Sequence, residues 1–214
     1  MRSRSSDSNV HILLALLSIL LAGSDAMAAP EAQFGVMEKE NDFELRRYEP
    51  QIVAQTIVEG DFADAGNKGF RRLFEYINGN NRKKASIPMT APVLEEIASE
   101  KIPMTAPVNQ EEENGKWLIS FVMPPDYTLE TLPEPLHPNV SVRIVPGRLV
   151  AALKYSGTWS RNRYDEKQHL LEKMVRAHGL IPVGKPVFAR YDPPWTLWFL
   201  RRNEVLIPVE RATR

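Results

Sequence analysis

A seven-residue sequence, Ile-Pro-Met-Thr-Ala-Pro-Val, occurs twice in the chain, at residues 87–93 and 102–108. In an extended strand, the two prolines and the threonine of each copy aim their backbone nitrogens at the same neighbouring strand. Proline has no N–H to donate, so two of these three positions make no ladder hydrogen bond. Each copy can therefore pair fully along one edge only. The repeat predicts strands at a sheet edge or at the seam of a distorted barrel.

The first 28 residues have the pattern of a secretory signal peptide. A weakly basic start precedes an apolar run at 12–22, which is shorter than the roughly 20 residues that span a bilayer. The sequence Ala26-Met27-Ala28 follows and is typical of a cleavage site, so we expect cleavage after Ala28 and a periplasmic or secreted protein. An N-terminal anchor that stays attached is the alternative, because the two kinds of segment overlap in length.

The remaining residues, 29–214, fit a single domain that is long enough to bury a core. The formal net charge is +0, which gives no reason to expect a nucleic-acid partner or electrostatic capture by anionic lipid. We also expect no stable membrane insertion after signal cleavage. The chain has no cysteine, which excludes disulfides, thiol catalysis and cysteine-ligated metals.

The chain also resembles itself at an offset of 97 residues. Residues 44–62 align without a gap on 141–159, so that Gly60 meets Gly157 and Phe62 meets Trp159. Few residues are identical, but the apolar pattern agrees. The alignment predicts two half-units, at about 43–123 and 140–209, each built of two strands, a helix and further strands.

Helical spacing follows each Gly-x-aromatic sequence. The first helix is expected from Phe62 to Ile77, before Asn78-Gly79, and the second from the N-cap Ser160 to a stop at Gly179. The further strands are expected at 87–93, 102–108, 116–123, 187–191, 198–201 and 204–209, and the acidic run 111–113 is expected in a solvated loop. The fold class predicted is α+β: duplicated half-units that form a distorted antiparallel β-barrel flanked by two α-helices, with a groove at the seam.

No catalytic constellation stands out. His137, His169 and His178 have no second histidine at metal-ligand spacing, and a helix-capping or solvated role accounts for each of them. The phosphate-binding, nucleophile-elbow and zinc-protease motifs do not occur. We therefore assign no catalytic residue and no metal ligand, and a binding protein is favoured over an enzyme.

The apolar face of the first helix has two interpretations. Phe70, Leu73 and Phe74 recur at helical spacing, with Arg71 beside them. Such residues are usually buried in a core. The alternative is that part of this face lines a groove for a flat apolar ligand with carboxylates, which arginines at the rim would hold.

Several motifs together resemble the SOUL haem-binding protein family, over about 34–209. The motifs are MTAPV at 89–93 and 104–108, SFVMP at 120–124, YSGTW at 155–159, RYDPPWT at 190–196 and LRRNEV at 200–205. As a set they are specific, although each alone is weak. The resemblance implies a duplicated α+β fold of the kind predicted above.

The resemblance also implies that haem or another porphyrin binds with low specificity in a shallow apolar cleft against the first helix, without a strong axial ligand. Aligning that helix on Tyr76 and Gly79 places the family's apolar contacts at Phe70 and Phe74, and the family's Tyr-Asp-Pro-Pro motif places Tyr191 nearby. Two basic contact positions of the family fall on Asn67 and Glu75, where this chain departs from the pattern. The propionates are then expected to contact other basic residues of the helix. The full set of expected contacts is Phe70, Phe74, Arg71, Lys68, Leu73 and Tyr191, with Arg72 as a further basic candidate.

The sequence therefore predicts a non-catalytic haem- or tetrapyrrole-binding protein that buffers or traffics its ligand outside the cytoplasm. One alternative is a tetrapyrrole-processing enzyme that degrades haem. Another is an effector-binding module for other small amphipathic ligands. The sequence leaves the iron ligand and the oligomeric state open.

Overall fold

The computed structural model describes residues 31–84 and 98–212. Two helices pack against one face of a curved antiparallel sheet, so the predicted α+β class is confirmed. The helices are α1 (Phe62–Ile77) and α2 (Arg161–Ala177), and a short 3-10 helix covers Trp198–Leu200. The strands are β1 (Phe34–Glu40), β2 (Phe43–Tyr48), β3 (Gln51–Val58), β4 (Asn81–Arg82), β5 (Val108–Glu113), β6 (Lys116–Val122), β7 (Glu134–Pro135), β8 (Val140–Val145), β9 (Arg148–Tyr155), β10 (Leu180–Pro182), β11 (Val187–Arg190) and β12 (Asn203–Arg211).

The strand order of the main sheet is symmetric. It runs β1-β2-β9-β12-β11-β5-β6-β3-β8, with β10 added beside β12. The two halves correspond strand by strand: β2 to β8, β3 to β9, β5 to β11 and β6 to β12. Apart from β1, exchanging each strand for its counterpart gives the same order read backwards. The pseudo-twofold axis therefore passes between β5 and β11. Among the described strands no pairing joins β1 to β8, so the sheet is curved but open where a barrel was expected.

The bounds of corresponding strands differ by the same 97 residues that align the sequence with itself. This holds for β2 with β8 and for β3 with β9. Gly60 and Gly157, which the alignment superposes, both have φ of 133°, a backbone angle that favours glycine. These observations agree with an internal duplication, which stays a prediction from the sequence.

The first strand of each half pairs with the other half. β2 lies beside β9, with Leu45 opposite Ala151, and β8 lies beside β3, with Val142 opposite Ala54. The two halves therefore exchange their outer strands across the sheet.

Each helix begins at a capping side chain and ends before a glycine. The Asp61 carboxylate accepts a hydrogen bond from the Asp64 N–H at 2.8 Å, and the Ser160 hydroxyl accepts one from the Arg163 N–H at 3.3 Å. These caps satisfy N–H groups that have no partner within the helix. Gly79 and Gly179 follow the two helices with φ of 108° and 64°, which ends each of them.

Small residues bring α1 close to the sheet. Ala65, Gly66 and Gly69 all face inward. A Cβ placed on Gly69 would lie 2.2 Å from Cγ1 of Ile119 on β6, much closer than carbon atoms can approach. The glycine therefore sets the distance between helix and sheet, and with it the height of the residues on the flanks of the helix.

Three sequence-based assignments were wrong. Residues 102–107 form no regular strand, because their prolines cannot donate and the Thr105 hydroxyl bonds to the Val122 carbonyl; β5 begins only at Val108. The acidic run 111–113 belongs to β5, which pairs on both sides. Residues 198–200 form a 3-10 turn outside the sheet, and their side chains are exposed. The first heptapeptide copy, 87–93, and the proposed signal peptide lie outside the described residues.

Apolar side chains form one cluster on each face of the sheet. The larger lies under the helices and includes Leu73, Phe121 and Phe188. The smaller lies on the opposite face and includes Tyr48 and Val150. In the parts of the chain that the structure describes, no helix combines the length and apolarity needed to cross a membrane.

Candidate functional site

One flank of α1 carries a partly exposed pair of aromatic rings. Phe70 and Phe74 are one helical turn apart, and their rings stack with centroids 5.6 Å apart and an interplanar angle of 16°. Phe70 also contacts Phe121 of β6, whose centroid lies 5.5 Å away. Phe70 is half-buried, whereas Phe74 is 42 % exposed. The pair therefore presents a flat apolar surface that is anchored in the core at one end.

Three basic residues of α1 were expected to contact the propionates of a ligand, and they lie on different sides of the helix. Arg71 is exposed and precedes Phe74 by three residues, a spacing that makes the two neighbours on the helix surface. Because successive helix residues turn by about 100°, Lys68 lies on the opposite flank from Phe70. Its Nζ is 3.8 Å from the place where a Cβ of Gly60 would stand. Arg72 donates to the Thr56 hydroxyl at 2.7 Å and is tied to β3. Arg71 is the basic side chain of this set that shares a surface with the ring pair.

The structure separates two other expected contacts from this flank. Leu73 has 0 % of its surface exposed, because it lies on the face of α1 turned toward the sheet. Tyr191 packs with the smaller cluster on the opposite face, since strand alternation directs it away from the helices. Its hydroxyl donates to Glu204 at 2.9 Å. In this conformation neither side chain can touch a ligand that lies on Phe70 and Phe74.

An open groove continues this flank toward the start of α1. It has a volume of about 620 Å³ and lies between the N-termini of the two helices, where residues of both half-units meet. Its lining includes Ala63, Phe62, Trp117, Trp159 and Arg161. Ala63 is seven residues, or two turns, before Phe70 and therefore on the same side of the helix. The groove and the ring pair thus lie along one flank of α1.

The opposite face of the sheet contains a buried ion-pair network that sequence analysis missed. The Arg46 side chain is fully buried and donates from Nη1 and Nη2 to the two oxygens of Glu204, at 2.5 and 3.0 Å. Its Nε donates to Glu44 at 2.9 Å, and Lys154 donates to the same carboxylate at 2.8 Å. Each buried charge is paired and hydrogen-bonded, as the low polarity of the interior requires.

The first described residues cover this network. We call residues 31–34 the N-terminal strap. The Ala32 N–H donates to the Ala106 carbonyl at 3.0 Å, and the Phe34 ring lies 4.2 Å from the Arg46 guanidinium carbon. Glu31 accepts two hydrogen bonds from Arg202 at 2.9 Å. The strap therefore lies against the Arg46–Glu204 pair through the Phe34 ring and Arg202.

The network makes stability depend on pH. Burial alone would raise the pKa of Glu44, but hydrogen bonds from Lys154 and Arg46 and their positive charges lower that pKa to about 2. Burial would likewise raise the pKa of Glu204, and the hydrogen bond and charge of Arg46 lower it below its usual value. Both carboxyls therefore bind protons more weakly in the folded protein than in the unfolded chain.

We expect the free energy of unfolding to fall as pH decreases from about 4.5 toward about 2. A carboxyl with a depressed folded-state pKa stabilises the protein above its unfolded pKa, and this contribution disappears as pH falls through the folded value. Urea unfolding at a series of pH values measures the change. The E44Q variant should show a shallower decline. A wild-type profile that stays flat through this window would contradict the assignment.

The contacts of His178 and His137 are with residues other than Phe70 and Phe74. His178 stacks on Phe43, with centroids 4.4 Å apart, and its Nε2 is 3.3 Å from Glu40. His137 accepts from the Asn139 N–H through Nδ1 at 3.1 Å. Within residues 31–84 and 98–212, no cluster of three histidine, aspartate or glutamate residues could hold a metal ion. This finding concerns sites built from several side chains, and the axial ligand of a haem iron stays open.

The architecture is that of a pseudo-symmetric α+β domain found in other proteins of different sequence. The C-terminal domain of EcmrR aligns with a TM-score of 0.56 and 13 % identity, covering 79 % of this chain and 98 % of that domain. A hydrolase from Listeria innocua aligns with a TM-score of 0.50 and 12 % identity, covering 81 % of this chain and 94 % of that one. At such identities the likeness concerns the fold alone.

Sequence comparison identifies the family. The chain belongs to the SOUL heme-binding protein family, which matches residues 29–208. Heme-binding protein 2 of Homo sapiens is 28 % identical over 176 residues, with 76 % of this chain and 79 % of that protein covered. Heme-binding protein 2 of Mus musculus is 28 % identical over 174 residues, with the same coverage. Family membership supports haem as a ligand.

Proposed function

We propose that the protein binds haem or a related tetrapyrrole without transforming it, on the flank of α1 that carries Phe70, Phe74 and Arg71. The stacked and partly exposed ring pair is the observation that carries this proposal. A porphyrin is flat and apolar in its centre, so it removes both phenyl surfaces from water when it lies on them. The Arg71 guanidinium suits a propionate at the rim.

The same geometry predicts loose specificity. Phe70, Phe74 and Arg71 offer a macrocycle apolar surface and a charge for its propionates but no iron ligand, so this interaction depends little on the central metal. Zinc porphyrin and free-base porphyrin should therefore bind about as well as haem. Weak, metal-independent binding suits a protein that buffers or passes on its ligand. We propose that it does so in the periplasm or outside the cell, on the basis of the apolar segment and cleavage sequence in residues 1–28.

Haem titration followed by the Soret band tests the site. The wild-type protein should show saturable binding, and the F70D/F74D variant should bind at least about tenfold more weakly, since fully burying a phenyl ring contributes roughly 1.5–3 kcal/mol.

The mass of the purified protein, measured on the same sample, should show that residues 1–28 have been removed.

The matched control is L170D, which places the same charge on an exposed apolar position of α2. This variant should bind haem as the wild type does. Equal binding by F70D/F74D and the wild type would reject the α1 flank, and absence of saturable binding in the wild type would reject the function. Release of a bilin and iron with an electron donor under air would instead indicate a haem-degrading enzyme.

A further inference from the structure

The connection between β11 and β12 exposes an unusual amount of apolar surface. We call residues 193–200 the aromatic loop; its sequence, PPWTLWFL, contains no charged residue. Trp195 is 82 % exposed and Leu200 is 65 % exposed. Three more side chains of the loop, Leu197, Trp198 and Phe199, are more than half exposed. Contiguous apolar surface of this kind usually marks a binding site.

The aromatic loop is held in one shape by its own hydrogen bonds. Arg201 donates to the Thr196 and Pro194 carbonyls at 2.7 and 2.5 Å, and its guanidinium carbon lies 4.3 Å from the centroid of the Trp159 ring. The Thr196 N–H donates to the Pro193 carbonyl at 3.1 Å. Because the loop is ordered in advance, little conformational entropy is lost when it meets a partner.

The composition of the aromatic loop fits a lipid surface. Tryptophan is enriched where membranes meet water, because its ring is apolar and its indole N–H stays hydrated. Arg201 lies at the base of the loop, and its hydrogen bonds in the described structure go to carbonyl oxygens, which leave its charge unneutralised. That charge is placed to meet a lipid phosphate when the tip enters the interface.

We propose that the aromatic loop docks the folded protein on the surface of a phospholipid bilayer. Docking of this kind is peripheral: side chains of the loop enter the interface, and no segment spans the membrane. The net charge of the chain is +0, so the apolar side chains supply most of the attraction. Anionic lipid adds a smaller contribution through Arg201.

Vesicle flotation tests the proposal directly. The protein, as cells process it, is mixed with vesicles of phosphatidylcholine, with or without phosphatidylglycerol. The wild type should float with both, and more with phosphatidylglycerol, and its tryptophan emission should shift to shorter wavelength. Replacing the two most exposed side chains, in the variant W195S/L200S, should weaken the partition by at least about tenfold.

The matched control, L170S/V183S, removes two exposed apolar side chains from other parts of the surface. It should float as the wild type does. Failure of the wild type to float would overturn the proposal, and so would equal flotation of all three proteins. Dimerisation that W195S/L200S abolishes, without any flotation of the wild type, would overturn it in favour of a second copy as the partner.

Discussion

Replacing Arg46 with methionine is expected to lower the free energy of unfolding by about 3–5 kcal/mol, the usual cost of breaking a buried ion pair. The substitution removes the three side-chain nitrogens that bond to Glu204 and Glu44. Both carboxylates remain buried, and among the described side chains Arg202 and Tyr191 still donate hydrogen bonds to Glu204. Methionine fills part of the volume but returns none of the lost electrostatic energy.

Urea unfolding monitored by circular dichroism measures this effect. The control is R71M, which removes an exposed arginine and should change stability by about 0.5 kcal/mol or less. Because Arg46 lies on the sheet face away from α1, any R46M protein that folds should still bind haem on Phe70 and Phe74. A loss of less than about 1 kcal/mol would mean that the pair contributes little to the folded state.

Replacing Gly69 with alanine is expected to lower the free energy of unfolding by about 1–3 kcal/mol. In an ordinary exposed helix the same change would stabilise by about 0.8–1 kcal/mol, because alanine is the better helix former. Here the new Cβ would stand 2.2 Å from Ile119 Cγ1 and 2.7 Å from its Cβ. Ile119 is fully buried in the sheet and cannot turn away, so α1 must move outward.

Thermal and urea unfolding of G69A give the size of the effect. G35A is the control, since nothing lies within 4 Å of a Cβ at that position on β1. It should unfold within about 0.5 kcal/mol of the wild type. If G69A were more stable than the wild type, the helix would have room to move and helix propensity would decide the outcome.

The helices could be predicted from sequence because their signals are local. Ser160, the expected N-cap, begins α2, and glycines end both helices within two residues of the last turn. The turn at Asn114-Gly115, which joins β5 to β6, is equally local, and both residues have positive φ as a two-residue hairpin requires. Such features depend on residues close in the chain, which a single sequence displays directly.

Strand assignment failed for segments whose conformation depends on contacts with residues distant in the sequence. The proline-containing copy at 102–107 has strand-like alternation, but its polar groups are satisfied without a ladder. Trp198–Leu200 is as apolar as a buried strand, yet it lies outside the sheet in the aromatic loop. Periodicity reports which residues could be buried, and only the three-dimensional contacts decide which are.

The candidate site could be predicted in part. Phe70, Phe74 and Arg71 share an accessible flank, whereas a helical wheel alone does not show that Leu73 is sealed beneath it. Tyr191 was placed near the helix by family resemblance, and strand alternation sends it to the opposite face. The Arg46–Glu204 pair joins residues 158 positions apart in sequence, so no local pattern could reveal it.

The exchange of outer strands between the halves has a consequence for how the chain can be divided. Cutting the chain between residues 123 and 140 would give two pieces. The first would lose β8, which pairs with β3, and the second would lose β2, which pairs with β9. Neither piece would be an independent module, despite the apparent symmetry. Unfolding should therefore be a single cooperative event, and the ancestral unit, if the halves arose from one, would have needed a second copy of itself to be complete.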